Sequence, residues 1–357
     1  MVQVLLDGLR ADPRFEVHHV DARVSDDLED VGSFRPQKFW RLFKCVLHAW
    51  WIRMRYGRMA FYYVPAPAKR SAILRDWVVM ALCRPLFPEL ILHWHAYGLG
   101  EWATSGKDLA RQLTQRALGK ATMSIVLSKH NIPDAARLAP LDFVIVPNGI
   151  PDPCPDFDKE LLPLRQAGGV RPLRCLFLAH CTRAKGLFDA LEAVALVNDR
   201  KLLSNKRITL TVAGMFVDEA ERRAFEQRIQ LPDLRTADGS PVVNYVGFLK
   251  PEAKDAAFRS HDCLLVPSHW ESFGLTVVEA AAYGLPSVTS DHANLVGLLP
   301  EGLGFSGKTG DVEDLSSSIV GAAEFNGFAD LRREFVERYR SERFVRDISE
   351  ALMSVQK

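Results

Sequence analysis

Cys263-Leu264-Leu265-Val266-Pro267-Ser268-His269-Trp270-Glu271-Ser272-Phe273-Gly274-Leu275-Thr276-Val277-Val278-Glu279 is the stretch whose reading decides the fold. Its first four residues form a short apolar run closed by proline, the pattern of a strand buried on both faces. From Leu275 to Tyr283 the composition is that of a helix, which Gly284 ends and Pro286 follows. Strand, turn and helix therefore meet at Gly274. The first amides of such a helix lack internal partners and carry the positive end of its dipole, so phosphate is their natural guest. Gly274 carries no side chain to obstruct a close approach, and Leu275 and Thr276 offer their amides. Glu279 follows Thr276 by three residues and shares its helical face. Glu271 stands in the loop before the helix. An isolated pair of glutamates with this spacing is usually a solvated loop residue and a surface helix carboxylate, and only its context argues for more.

Outward from this window, strand-like and helical segments alternate, the pattern of parallel sheets covered by helices. In the first half, strands are expected at Glu16–Val20, Met59–Val64, Leu90–His93, Ser124–Leu127 and Phe143–Val146. In the second half they are expected at Arg174–Ala179, Arg207–Val212, Val242–Val246, Cys263–Val266 and Pro286–Thr289. The stretch from Asn148 to Pro172, rich in proline and glycine, has the composition of a linker. A long charged helix is expected from about Asp330 to Val355. With 357 residues the chain exceeds the size at which single cores usually divide. A net charge of +1 argues against a nucleic-acid partner. Six scattered cysteines suggest neither a zinc framework nor a disulfide scaffold. No apolar run reaches the length of a membrane span, about eighteen residues, and Met1 opens no signal-peptide pattern, so the expected location is cytoplasmic.

Pro267-Ser268-His269-Trp270-Glu271-Ser272-Phe273-Gly274-Leu275 through Glu279-Ala280 resembles the donor-site signature of the family 4 retaining glycosyltransferases. Val146-Pro147-Asn148-Gly149-Ile150 resembles the end of that family's first domain, and Phe177-Leu178-Ala179 to Ala184-Lys185-Gly186 its phosphate-binding strand and loop. The similarity extends from about His93 to the C-terminal helix. It implies the GT-B fold, two Rossmann-like α/β domains facing each other across a cleft. The implied divisions are an acceptor-side domain over 1–163, a nucleotide-sugar domain over 164–335, and a helix over 336–357 that crosses back to the first domain. The implied activity is metal-independent transfer of a hexose from a nucleotide-diphosphate sugar to a hydroxyl of a sugar or lipid-linked acceptor, as in cell-envelope polysaccharide synthesis. Retention of anomeric configuration through front-face substitution is part of that expectation, and no cofactor is required.

The resemblance also distributes roles. Glu271 would bind donor-sugar hydroxyls, Glu279 the ribose, and Phe273, Gly274, Leu275 and Thr276 the diphosphate. The loop around Lys185 departs from the pattern: the family usually places an arginine about five residues before the lysine, where this chain has His180. Arg183 is expected to take over beside Lys185, since a nucleoside-diphosphate leaving group gains charge as its bond breaks and needs fixed cations. The plain alternative for these two basic residues is a solvated helix start. His95, in Leu92-His93-Trp94-His95, occupies the place of a family histidine near the donor sugar and is a candidate to bind a sugar hydroxyl or orient the acceptor. His93 and His95 share one side of a strand, but no third ligand at a recognisable spacing makes them a metal pair. No Asp-x-Asp motif that would hold a divalent ion is identified.

Met1 to Arg10 reads as a helix, with no strand or glycine-rich turn ahead of it of the kind that opens a nucleotide-binding domain. A natural start upstream of Met1, or a degraded copy, is the expectation that follows. A second function class is therefore an impaired or non-catalytic sugar-nucleotide binder. A GT-B epimerase or phosphorylase is a third, although no pyridoxal lysine can be identified. Finally, Arg35 to Arg58 holds seven basic residues and no acidic one, with Phe39, Phe43, Val46, Trp50 and Met54 at helical spacing. It reads either as a helix packing its aromatic face on the sheet with its charges in water, or as a peripheral contact with the inner face of the membrane.

Overall fold

The computed structural model describes residues 2–22, 36–167, 171–203 and 206–355. The chain forms two compact units, Met1–Gly149 with Ser341–Lys357, and Ile150–Arg340. The first contains strands β1 (Phe61–Tyr63), β2 (Leu90–His93), β3 (Met123–Val126) and β4 (Phe143–Ile145), all parallel and paired in that order. Its helices are α1 (Val2–Ala11), α2 (Pro36–Tyr56), α3 (Arg70–Cys83), α4 (Leu99–Thr104), α5 (Leu109–Leu118) and α6 (Ile132–Ala136). In the second unit lie α7 (Leu162–Gln166), α8 (Leu187–Asp199), α9 (Glu219–Arg228), α10 (Pro251–Ser260), α11 (Leu275–Ala282), α12 (Val312–Ala323) and α13 (Phe328–Arg338). The last helix, α14 (Ser341–Val355), returns to the first unit, where Phe344, Ile348 and Ala351 are buried with Leu5, Leu9, Ile91 and Ile125.

The second unit is built on six parallel strands: β5 (Leu173–Leu178), β6 (Ile208–Ala213), β7 (Val243–Gly247), β8 (Cys263–Val266), β9 (Ser287–Ser290) and β10 (Phe305–Gly307). Their spatial order is β10-β9-β8-β5-β6-β7. The chain thus runs outward from β5 on one side and, after β7, returns to build on the other. The switch lies between β5 and β8, and ligands of open parallel sheets bind outside the carboxyl ends of strands at such a switch. β5 and β8 are central because both are covered on two faces. Cys175, Leu176, Phe177, Cys263, Leu264 and Leu265 are all buried.

Four expectations need correction. Glu16–Val20 forms no strand: Phe15 and Val17 pack on the α1–α14 core but their backbone joins no ladder. β10 was missed because Phe-Ser-Gly carries no strand pattern and is held by pairing with β9. Of the supposed linker, residues 150–167 are folded into the second unit. Phe157 is buried in a short π-helical turn, and the guanidinium of Arg165 in α7 donates to the carbonyls of Tyr283, His261 and Phe258 at 2.7, 2.9 and 2.8 Å. The single terminal helix is two, because the amide of Ile150 takes the carbonyl of Tyr339 at 2.8 Å and opens the ladder between α13 and α14.

The aromatic face expected for the basic segment is also redrawn. The seam of α2 that packs inward is Leu42, Val46, Ala49 and Ile52, whereas Phe43 and Met54 point to solvent. Trp50 is half-buried and donates its indole N–H to the Leu82 carbonyl at 2.9 Å. Arg35 lies outside the described residues, as do the side chains of Lys38 and Phe39.

Candidate functional site

Two loops leave the sheet on either side of the switch, one after β5 and one after β8, and they are laced together. The amides of His269 and Trp270 donate to the Ala184 carbonyl at 2.9 and 3.3 Å. Gly186 caps α8 at φ +73°, and a Cβ there would stand 2.0 Å from the Pro267 carbonyl oxygen, so only glycine permits the loops to approach this closely. Thr182 accepts the Lys185 amide on its hydroxyl at 3.2 Å and fixes the turn that aims Lys185 across the gap.

Lys185 meets Glu271 there. Its Nζ donates to Glu271 Oε2 at 2.8 Å and to the Trp270 carbonyl at 3.1 Å. The other carboxylate oxygen, Oε1, accepts the Ser272 amide at 3.0 Å, and Asn294 holds the Glu271 carbonyl through Nδ2 at 2.9 Å. Both members of the pair are largely but not fully covered. An ion pair of this kind can exchange partners: an anionic group could take the lysine while polar hydroxyls take the glutamate.

Next to this pair α11 begins. Gly274 sits at φ +86°, and no side chain caps the helix. The first helical hydrogen bonds are donated by Val277 and Val278 to the Gly274 carbonyl, which leaves the Leu275 and Thr276 amides ahead of the ladder. The reason for glycine differs from the one expected. The direction its Cβ would take is occupied by Leu295 and Leu298, at 2.6 and 2.8 Å, so backbone geometry and packing demand Gly274 rather than room for a ligand. Phe273 is 3 % exposed and edge-on to the Tyr339 ring, so its side chain belongs to the core and only its main chain can serve a ligand. One turn on, Glu279 accepts from Lys254 Nζ at 2.6 Å. Lys254, on α10, carried no motif in the sequence, because its relation to Glu279 arises only when α10 and α11 fold around β8.

Arg183 lies at the mouth of the β5 loop with its guanidinium 4.0 Å over the Phe188 ring, while its amide donates to Glu221. His180, in the slot where an arginine was expected, is exposed. A neighbouring depression of about 250 Å³ is lined by Arg183, Ala184, Phe188, Asp189 and His269, and His269 is paired with the Asp189 carboxylate.

His95 stands in the first unit, just past the end of β2. It is half-buried with its ring 4.2 Å from that of His93, and burial lowers its pKa to about 4, so it is neutral near pH 7. His93 is buried, held through Nδ1 by the Tyr62 hydroxyl, and burial lowers its pKa as well. Its Nε2 has no partner among the described residues. Asp156-Phe157-Asp158 does have the Asp-x-Asp spacing, but it lies in the turn that buries Phe157, with both carboxylates exposed. Among the described residues no three His, Cys, Asp or Glu side chains converge to hold a metal ion.

Residues 168–342 match the family described as glycosyl transferases group 1. Among curated proteins, a 61-residue stretch is 43 % identical to an uncharacterised 41.2 kDa protein in the cps region of Klebsiella pneumoniae, covering 17 % of each chain. The glycogen synthase of Mycobacterium tuberculosis is 29 % identical over 154 residues, 42 % of this chain and 33 % of that protein. A sulfoquinovosyl transferase of Arabidopsis thaliana is 36 % identical over 169 residues, 46 % of this chain and 29 % of its own. The matched region therefore spans a third or less of the length of these relatives. Among solved structures, sucrose-phosphate synthase from Thermosynechococcus elongatus superposes with a TM-score of 0.69 at 19 % identity, covering 99 % of this chain and 92 % of that one. HepE of Anabaena, in complex with UDP-glucose, gives 0.66 at 16 % identity, covering 90 % and 84 %. The two parallel-sheet units thus have the GT-B fold.

Proposed function

We propose that this protein transfers a hexose from a nucleotide-diphosphate sugar to an acceptor hydroxyl, with retention of configuration and without a metal ion. The observation that carries this reading is the Lys185–Glu271 ion pair, set beside the open start of α11 at the β5/β8 switch. A diphosphate entering here would accept from the Leu275 and Thr276 amides and from the Phe273-Gly274 main chain. Lys185 would leave Glu271 for the phosphate, with Arg183 as second cation. One such cation about 4 Å from a phosphate charge contributes roughly 4 kcal/mol at an effective dielectric near 20. That charge grows as the glycosidic bond breaks, so the contribution is larger in the transition state than in the ground state.

Glu271, released from Lys185, would accept hydroxyls of the donor sugar. Glu279, oriented by Lys254, would accept those of the ribose. In the front-face mechanism the departing phosphate oxygen takes the acceptor's proton, so no protein nucleophile is required. His95, neutral near pH 7, is assigned to a sugar hydroxyl or to the acceptor. The acceptor is taken to be a sugar or lipid-linked hydroxyl and the location cytoplasmic. The likeness of one segment to a protein in a cps region favours envelope polysaccharide synthesis. No described helix is long and apolar enough to cross a membrane.

A second reading is a sugar-nucleotide binder that does not turn over, favoured by His180 where the family's arginine would stand. Screening UDP-, GDP- and ADP-sugars by thermal stabilisation, and then by donor hydrolysis in the presence of a chelator, tests both readings. Stabilisation with chelator-resistant release of sugar supports the transferase. Stabilisation without release by any donor supports the binder. Anomeric analysis of the glycosylated product tests retention.

A further inference from the structure

The solvent side of α2 is divided along its length. At about 100° per residue, Phe43, Met54, Leu47, Trp40 and Trp51 fall within an arc of roughly 80°. All five are exposed, Trp40 by 59 %, Trp51 by 53 % and Met54 by 77 %. Next to this arc, on the flank facing away from Phe43, lie Lys44, His48 and Arg55, also exposed. Lys44 Nζ sits 5.6 Å over the Trp40 ring. The opposite side is the buried seam of Leu42, Val46, Ala49 and Ile52, and Trp50 Nε1 and Arg53 Nε pin the helix to the carbonyls of Leu82 and Leu86 at 2.9 and 2.7 Å. The helix is therefore held in place while presenting a row of large apolar side chains to water.

Such a row is costly in an isolated soluble unit, and contiguous exposed apolar surface marks a docking face. Charge selects the occupant. α2 carries five basic residues and no acidic one, so a second copy of the same face would set like charges together. An anionic lipid surface instead receives both the apolar arc, among the acyl chains and headgroups, and the basic flank, among the phosphates. We propose that α2 docks this protein on the surface of an anionic membrane, with Trp40, Phe43, Leu47, Trp51 and Met54 entering the interface and Lys44 and Arg55 contacting lipid phosphate. This contact goes beyond the donor site and does not depend on it.

Co-sedimentation with vesicles of equal parts phosphatidylglycerol and phosphatidylcholine tests the proposal, with pure phosphatidylcholine vesicles as reference. The wild-type protein is expected to partition onto the anionic vesicles and to be released by high salt. L47E/W51E should lower partitioning at least about tenfold, since each side chain forfeits burial worth more than 1 kcal/mol. K44E/R55E should lower it by about tenfold or more, from roughly 1 kcal/mol per charge. L141E, which alters an exposed leucine elsewhere in the unit, should not change it. Melting curves and UDP binding of the variants, expected to be unchanged, separate docking from misfolding. Quenching of wild-type tryptophan fluorescence by brominated lipid gives a reading that needs no variant. Failure of the wild-type protein to bind anionic vesicles would overturn the proposal. So would a dimer in sedimentation velocity that W51E dissociates, which would make a second copy the occupant.

Discussion

Replacing Glu271 by glutamine separates two effects that most substitutions at a catalytic site confound. Glu271 Oε2 holds Lys185 at 2.8 Å, and the same lysine is assigned to the donor diphosphate. Diphosphate must therefore displace the carboxylate before it gains the lysine. The two side chains are 26 % and 16 % exposed, so the pair is screened by solvent and is worth about 1 kcal/mol rather than the several of a buried pair. Glutamine keeps the shape and the acceptor for the Ser272 amide but removes the competing charge. UDP should consequently bind E271Q about fivefold more tightly than wild type. Transfer should fall steeply all the same, about 100-fold or more, because the group assigned to the donor-sugar hydroxyls would have lost its charge. Calorimetric titration with UDP and initial-rate measurement with the preferred donor check the two halves. Loss of UDP affinity in step with loss of turnover would refute the partner-exchange reasoning, as would unchanged turnover.

The other predictions bear on neighbouring parts of the site and on the first unit. K185M keeps the apolar stem but removes the cation and should lower kcat/KM by about 10²–10³-fold while changing stability by only about 1 kcal/mol; rates within threefold of wild type would exclude Lys185 from the reaction. E279A and K254M should each weaken UDP binding with little change in kcat at saturating donor, so a kcat defect without a binding defect would reject the ribose assignment. G186A should cost more than about 3 kcal/mol, because its Cβ would stand 2.0 Å from the Pro267 carbonyl oxygen at a φ unfavourable to L residues; chemical denaturation measures this, and near-wild-type stability would contradict the lacing of the two loops. For His95 the sign is set by a folded-state pKa of about 4, below its ordinary value of 6.5. Its neutral form is favoured in the fold, so stability is intact above pH 6.5 and falls as pH drops toward 4, by about 3 kcal/mol in total. Urea midpoints between pH 7.5 and 4.5 should show this slope reduced in His95→Gln.

The parts of this molecule that were legible in the sequence are those where a physical requirement acts over a few consecutive residues. Leu90–His93 and Cys263–Val266 could be read residue for residue because a strand covered on both faces shows as a short apolar run, closed here by His93 and by Pro267. The start of α11 was legible because a helical run from Leu275, ended by Gly284 with Pro286 beyond, follows directly on the turn at Gly274, although the left-handed φ that requires glycine there was not read. Legibility failed where the cause lies far along the chain. Phe305–Gly307 is a strand only by virtue of β9. The gap between α13 and α14 is made by Ile150, nearly two hundred residues earlier. The proline-rich stretch looked like a linker because proline counts do not reveal that Phe157 and Arg165 have partners in the second unit. In the candidate site, both glutamates and Lys185 could be named from motifs, whereas Lys254, Asn294 and the switch between β5 and β8 required the sheet order. On α2 the helical period was visible, but which of its aromatic residues faced inward was not. Aromatics lie on both sides of the helix, and periodicity alone does not say which side a sheet will cover.

The central claim is that a nucleoside diphosphate binds where α11 begins, between the β5 and β8 loops. A crystal structure of the protein with UDP bound tests it most directly. Diphosphate oxygens are expected within hydrogen-bonding distance of the Leu275 and Thr276 amides and of Lys185 Nζ, with Lys185 withdrawn from Glu271. UDP bound at another place, with the Lys185–Glu271 pair intact, would contradict it.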